Sequence, residues 1–146
     1  KKISTLLVVA ALLATACKKS STNPSPTIVA KWKHTKDIVK NYDSAGGLNL
    51  IDTADYTGAT DYWQFNADKS GSINEETYIG SGQYSNTPFT YELKGSSLIL
   101  VANGDTETDN VTTLTSSALI IHAEYVNKDD KGNVIDTDKV DMYFNK

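Results

Sequence analysis

The chain has 146 residues with 14 basic and 18 acidic side chains, a formal net charge of −4, no arginine and a single cysteine. An acidic chain without arginine is unsuited to nucleic acid, whose phosphates are held by clustered Lys and Arg. One cysteine cannot close an internal disulfide, and the length suits one compact domain rather than two.

Lys1 and Lys2 open the chain, an apolar run of small and aliphatic residues follows from Ile3 to Ala16, and Cys17 closes it. That is the layout of a secretory signal, residues 1–16. The run is shorter than the roughly 20 residues a membrane span needs, and no second apolar block follows it. The stretch Leu13-Ala14-Thr15-Ala16-Cys17 resembles the lipobox of bacterial lipoproteins. The resemblance implies that Cys17 is acylated, becomes the first residue and joins the protein to a membrane. Cleavage there removes Lys1 and Lys2, leaving 12 basic against 18 acidic groups, a net charge of −6.

Residues 17–27 read as a lipidated start and a linker. Ser20 to Thr27 holds two of the three prolines and no bulky apolar side chain, so it cannot bury enough surface to offset chain entropy. Lipoproteins of Bacteroidetes-type bacteria destined for the outer surface often carry acidic residues just after the cysteine. Lys18-Lys19-Ser20-Ser21 has none. The expected location is therefore the cell envelope, on the outer membrane facing the periplasm.

Residues 28–146 form the domain. β-Branched and aromatic residues recur in short period-two blocks at 30–41, 61–66, 71–79, 88–94, 97–103, 107–114, 118–128 and 134–145, eight in all. The inward sets are Trp63 and Phe65; Phe89, Tyr91 and Leu93; Leu119, Ile121, Ala123 and Tyr125; and Val140, Met142 and Phe144. Short connections such as Lys94-Gly95-Ser96 and Asn103-Gly104-Asp105 force sequential strands to pair antiparallel. Open edges invite aggregation, so closure into an eight-stranded up-and-down barrel is the economical all-β solution, with a sandwich as the alternative.

Three stretches, Ala30-Lys31-Trp32-Lys33, Trp63 to Gly71 and Leu114 to Ile121, resemble the lipocalin-like domains of small bacterial lipoproteins. The resemblance implies a cup with one closed and one open end, Trp32 packing across the closed end, and a long loop after the first strand lying over the mouth. Tyr42 to Thr60 is assigned to that loop, a lid or alternatively a disordered segment, with Leu48, Leu50 and Ile51 as its apolar cluster.

Little in the chain points to catalysis or metal binding. Asn66-x-Asp68-x-Ser70-Gly71 opens like a calcium loop, but Thr77 stands where the bidentate carboxylate belongs; Asn127 to Asp138 would place Lys131 among the ligands. His34 and His122 are the only imidazoles, and zinc needs further ligands placed with them. No Gly-x-Ser-x-Gly elbow exists, Gly80-Ser81-Gly82 reads as a turn, and adjacent carboxylates such as Glu75-Glu76 point to opposite faces of a strand. No catalytic residue, metal or cofactor is expected, and the chain is not read as an enzyme.

If Trp32 points inward, strict alternation carries His34, Lys36 and Ile38 to the same face, while His122 falls outside. The expected ligand-binding residues are His34, Phe65, Phe89, Tyr91, Leu48 and Ile51. The function expected is a membrane-anchored module that binds a small apolar or amphipathic ligand. The alternative is an envelope protein-interaction or inhibitor module with a protein partner.

Overall fold

The structure is a computed structural model that describes residues 25–56, 58–77 and 80–146. The signal segment, Cys17 and the linker up to residue 24 lie outside the described residues. Nine strands follow in order: β1 (Ala30–Asp43), β2 (Leu48–Asp55), β3 (Tyr62–Phe65), β4 (Ser70–Glu76), β5 (Tyr84–Lys94), β6 (Ser97–Ala102), β7 (Asp105–Leu114), β8 (Ala118–Lys128) and β9 (Val134–Asn145). From β3 to β9 each strand pairs antiparallel with the next, and β9 pairs back onto β1. The sheet is a closed barrel.

The nine strands occupy eight positions. β3 covers only the start of β1, from Ala30↔Phe65 to Lys33↔Tyr62. The rest of that edge, Lys36 to Tyr42, is taken by β2. A long β1 with a short partner would otherwise leave a row of backbone donors and acceptors unpaired, and β2 satisfies them. The stretch assigned to a loop over the mouth is therefore mostly a hairpin. Its turn is set locally: Asp43 Oδ1 accepts the amides of Ala45 at 2.9 Å and Gly47 at 2.7 Å.

Alternation in the sequence becomes one core. Trp32, Phe65, Leu98, Leu119 and Ile121 are fully buried, joined by Trp63, Phe89, Tyr91, Ala123, Met142 and Phe144. Each large side chain removed from water contributes roughly 1.5–3 kcal/mol, so this column of side chains is the main favourable term. The aromatic rings meet at 5.0 Å between Phe65 and Tyr91, 5.3 Å between Phe65 and Phe89, and 5.2 Å between Trp63 and Phe144, all tilted or edge-on. Such pairs add to plain burial. Trp32 closes the base, its Nε1 donating to the Ile28 carbonyl at 2.7 Å.

Two glycine positions matter. Asn103 and Gly104 both have positive φ, 54° and 92°, the primed two-residue turn that matches strand twist between β6 and β7. Gly71 faces the Phe89 ring and the Gln64 carbonyl so closely that a Cβ would collide with both. It is the position that lets Phe89 lie flat against β4.

One departure from strict alternation changes the interior. A β-bulge between His34 and Lys36 shifts the β1–β9 register, pairing His34 with Phe144 but Lys36 with Tyr143 and Asp37 with Met142. His34 points inward as expected. Lys36 does not: its ammonium sits over the outward Tyr143 ring at 4.4 Å. Asp37 takes the inward place, so the wall gains a carboxylate where alternation called for a cation.

Candidate functional site

β1, β4, β6 and β8 run from base to mouth and the other strands return. The base is filled by Trp32, Phe65, Leu98, Leu119 and Ile121, leaving space only above them. There a cavity of about 330 Å³ opens, lined by Trp63, Ile73, Phe89 and Met142 below, by Leu100 and Ala102 level with their partners Glu107 and Asp105, and by Glu75, Thr106 and Tyr125 toward the mouth. That volume is at the lower end for a small-molecule site, and an apolar floor with a few polar groups above it is the usual make-up of one. A neighbouring hollow of about 290 Å³ shares Glu75 and Met142 and adds His34, Asp37, Tyr56, Asp61, Glu76 and Thr77. No lysine lines either hollow.

His34 is buried, its ring stacked between Tyr56 at 4.5 Å and Phe144 at 4.7 Å. Its Nε2 is 2.7 Å from Asp37 Oδ1, and the Tyr56 hydroxyl donates to Asp37 Oδ2 at 3.2 Å. Burial, then the charge and hydrogen bond of Asp37, push the Tyr56 hydroxyl up to about 12. Asp61 is buried beside this group and accepts the Glu76 amide at 3.0 Å. The side wall is thus a satisfied polar network whose groups already hold one another.

The opposite wall is different. Trp63 Nε1 donates to Glu75 Oε1 at 3.1 Å, but on β7 two inward carboxylates have oxygens with no protein partner: Glu107 Oε1 and Asp109 Oδ2, both buried. Asp109 is only 5 % exposed. Burial first, and the charge of Glu107 second, raise its carboxyl to about 7, against a small opposing pull from His122. The Tyr125 hydroxyl is pushed well above its usual value by burial and by the Glu107 carboxylate within hydrogen-bonding reach.

The residues expected to bind ligand separate into three groups. Phe89 lines the main cavity and His34 the adjoining hollow. Phe65 and Tyr91 sit lower in the packed core, the Tyr91 hydroxyl donating to the Asn66 carbonyl at 2.7 Å. Leu48 and Ile51 are not over the mouth; they lie on β2, 52 % and 55 % exposed, because that segment pairs with β1 outside the cup. What does reach the mouth from this stretch is Tyr56, just past β2. His122 faces outward as expected, 2.7 Å from Asp141 Oδ1, which holds its imidazole above the ordinary value. The calcium-like turn uses Asp68 to accept the Ser70 amide at 3.0 Å and the Ser70 hydroxyl at 2.6 Å.

Alternation alone did not reveal Asp37, Tyr56, Glu107 or Asp109. The bulge hides the first. The β7 sequence Asp105-Thr-Glu-Thr-Asp-Asn110 is polar at every position, so neither face could be told from the other.

A closed antiparallel barrel with a filled base and a hollow below its mouth is the architecture of a ligand-holding cup. Residues 28–121 match the family model described as lipocalin-like domain, and the chain belongs to that family, whose fold in general binds rather than catalyses. A solved lipocalin-like protein from Bacteroides uniformis is similar at 15% identity and a TM-score of 0.48, over 81% of this chain and 96% of that one. No curated protein matches the chain.

Proposed function

We propose that this protein is a lipid-anchored envelope protein that takes one small amphipathic molecule into the mouth of its barrel. The observation that carries the binding role is the cavity of about 330 Å³ with an aromatic and aliphatic floor and a carboxylate rim. A purely apolar ligand would leave the rim carboxylates desolvated and unpaired, so the amphipathic half of the expectation is favoured. Fatty acids fit poorly, since their head would meet the carboxylates of Glu75, Asp105 and Glu107. The anchoring role rests on Ala16-Cys17 closing an apolar leader.

The test compares the parent with Ala102→Trp, which grows a side chain into the cavity. A thermal-shift and fluorescence screen of small aromatic and amphipathic compounds should give saturable binding to the parent and none to the filled variant. Mass spectrometry of detergent-extracted protein should find acyl chains on Cys17. Binding that survives Ala102→Trp would place the ligand elsewhere, and an unmodified thiol would end the anchor. A second reading, a protein-interaction module, draws on the exposed apolar side chains beyond the mouth, Leu50 at 58 %, Val126 at 51 % and Ile135 at 54 % exposure.

A further inference from the structure

We propose that the cavity takes an aromatic primary amine, its ammonium set between the carboxylates of Glu107 and Asp109 and its ring against Trp63 and Phe89. This rests on the ligand-binding reading above and names the ligand class.

Four observations converge. The carboxylates of Glu107 and Asp109 each keep one buried oxygen without a protein partner, whereas buried Asp61 accepts the Glu76 amide and the half-buried Asp37 and Glu75 are held by His34 and Tyr56 and by Trp63. Asp109, 5 % exposed, lies two residues from Glu107 on the inward face of β7, one step below the cavity wall that Glu107 lines. Two residues of strand put their Cα atoms about 6.6 Å apart with both side chains on one face, near enough for one cation to reach both carboxylates. The hollows hold no lysine to do this internally, because the bulge in β1 turns Lys36 outward.

The chemistry narrows the class. Two neighbouring orphan carboxylate oxygens are best matched by a cation with N–H donors, which a quaternary ammonium lacks. A metal is disfavoured, since no group of three or more His, Cys, Asp or Glu among the described residues is placed to hold one. Trp63 and Phe89 give flat apolar surface beside the carboxylates, which suits a ring and adds attraction for a nearby cation. The Tyr125 hydroxyl lies within hydrogen-bonding reach of Glu107, and both line the cavity.

The experiment follows tryptophan fluorescence of the full chain at pH 8 with 2-phenylethylamine, 2-phenylethanol and 3-phenylpropionate, three ligands of one ring and different head charge. The amine should saturate at least tenfold more tightly than the alcohol, with the acid weakest. Glu107→Gln and Asp109→Asn, both neutral and of the same shape, should weaken the amine tenfold or more and leave the alcohol unchanged; melting curves verify that they fold. Amine affinity should rise between pH 6 and pH 8 in the parent as Asp109 ionises, and lose most of that rise in Asp109→Asn. The other titratable groups that act on Asp109 are Glu107 on its own strand, Tyr125 on β8 and, from the outer face of β8, His122; β6 contributes none. Because His122 is retained in the variant, the difference between the two profiles isolates Asp109. Equal affinity for amine and alcohol, or an amine affinity indifferent to both substitutions, would overturn the amine assignment and leave the cavity a ligand site. No saturable binding of any of the three would overturn both.

Discussion

Asp109 is the residue whose sequence context says least and whose environment says most. Its folded carboxyl titrates near 7 rather than near 3.8, raised by burial and by Glu107. The folded chain therefore holds a proton that the unfolded chain releases above about pH 4, and stability falls as pH rises through that window until the folded group ionises near 7. Above it the full cost of a buried unpaired charge is present. Asp109→Asn removes the cost and should gain about 1–3 kcal/mol at pH 8 while changing little at pH 4, read from urea unfolding at the two pH values. His122, raised by its bond to Asp141, also loses its contribution as pH rises, but it does so in parent and variant alike. A variant no more stable than the parent at pH 8 would mean that Asp109 is solvated. A carboxylate at such a site costs the fold stability that an asparagine would not, which points to a role in what it binds.

Strands were legible from sequence where one face is apolar and the other wet. Trp63 and Phe65, Leu119, Ile121 and Ala123, and Met142 and Phe144 all point inward, as their alternation requires. Three elements were not readable, for different reasons. β2, with the sequence Leu-Asn-Leu-Ile-Asp-Thr-Ala-Asp, is exposed along most of its length, so no burial pattern was imprinted on it and its Gly-Gly and Asp-rich flanks resembled a loop. β1 carries its bulge among residues that are polar on both sides, where one extra residue leaves no trace in hydropathy yet exchanges Lys36 for Asp37 inside the cup. β7 is polar throughout its first half. The β2 assignment has a direct test. Replacing both Leu48 and Ile51 by serine on an exposed strand should alter stability by less than about 0.5 kcal/mol per site and leave ligand affinity unchanged. A threefold loss of affinity would bring these side chains back over the mouth.

The whole molecule has two unlike ends, and the difference bears on how an anchored barrel would sit. The chain enters at the base, where Ile28 is buried against the core and Trp32 closes the barrel, so an anchor at Cys17 would attach to the closed end. Lys31, Lys69, Lys94 and Lys146 lie toward that end, on β1 and β9 termini and on the β3–β4 and β5–β6 hairpins. The mouth instead gathers Asp37, Asp61, Glu75, Glu76 and Glu107. Anionic lipid attracts each nearby lysine by about 1 kcal/mol and repels carboxylates, so in an anchored barrel tether and charge would agree: base toward the bilayer, mouth toward water. Single cysteines for a dye can be placed at Ser96→Cys on the β5–β6 hairpin and Asp130→Cys on the β8–β9 hairpin, both at exposed positions. With the acylated protein on anionic vesicles containing a quencher lipid, the dye at Ser96→Cys should be quenched more strongly than the dye at Asp130→Cys. Added salt should narrow the gap as the lysines are screened. Equal quenching at low salt would mean that the tether alone sets the position and the charge asymmetry has no part in it. An open, water-facing mouth is what a cup needs if its ligand arrives as a charged amine from solution, whereas a ligand drawn from the bilayer would require the opposite pose.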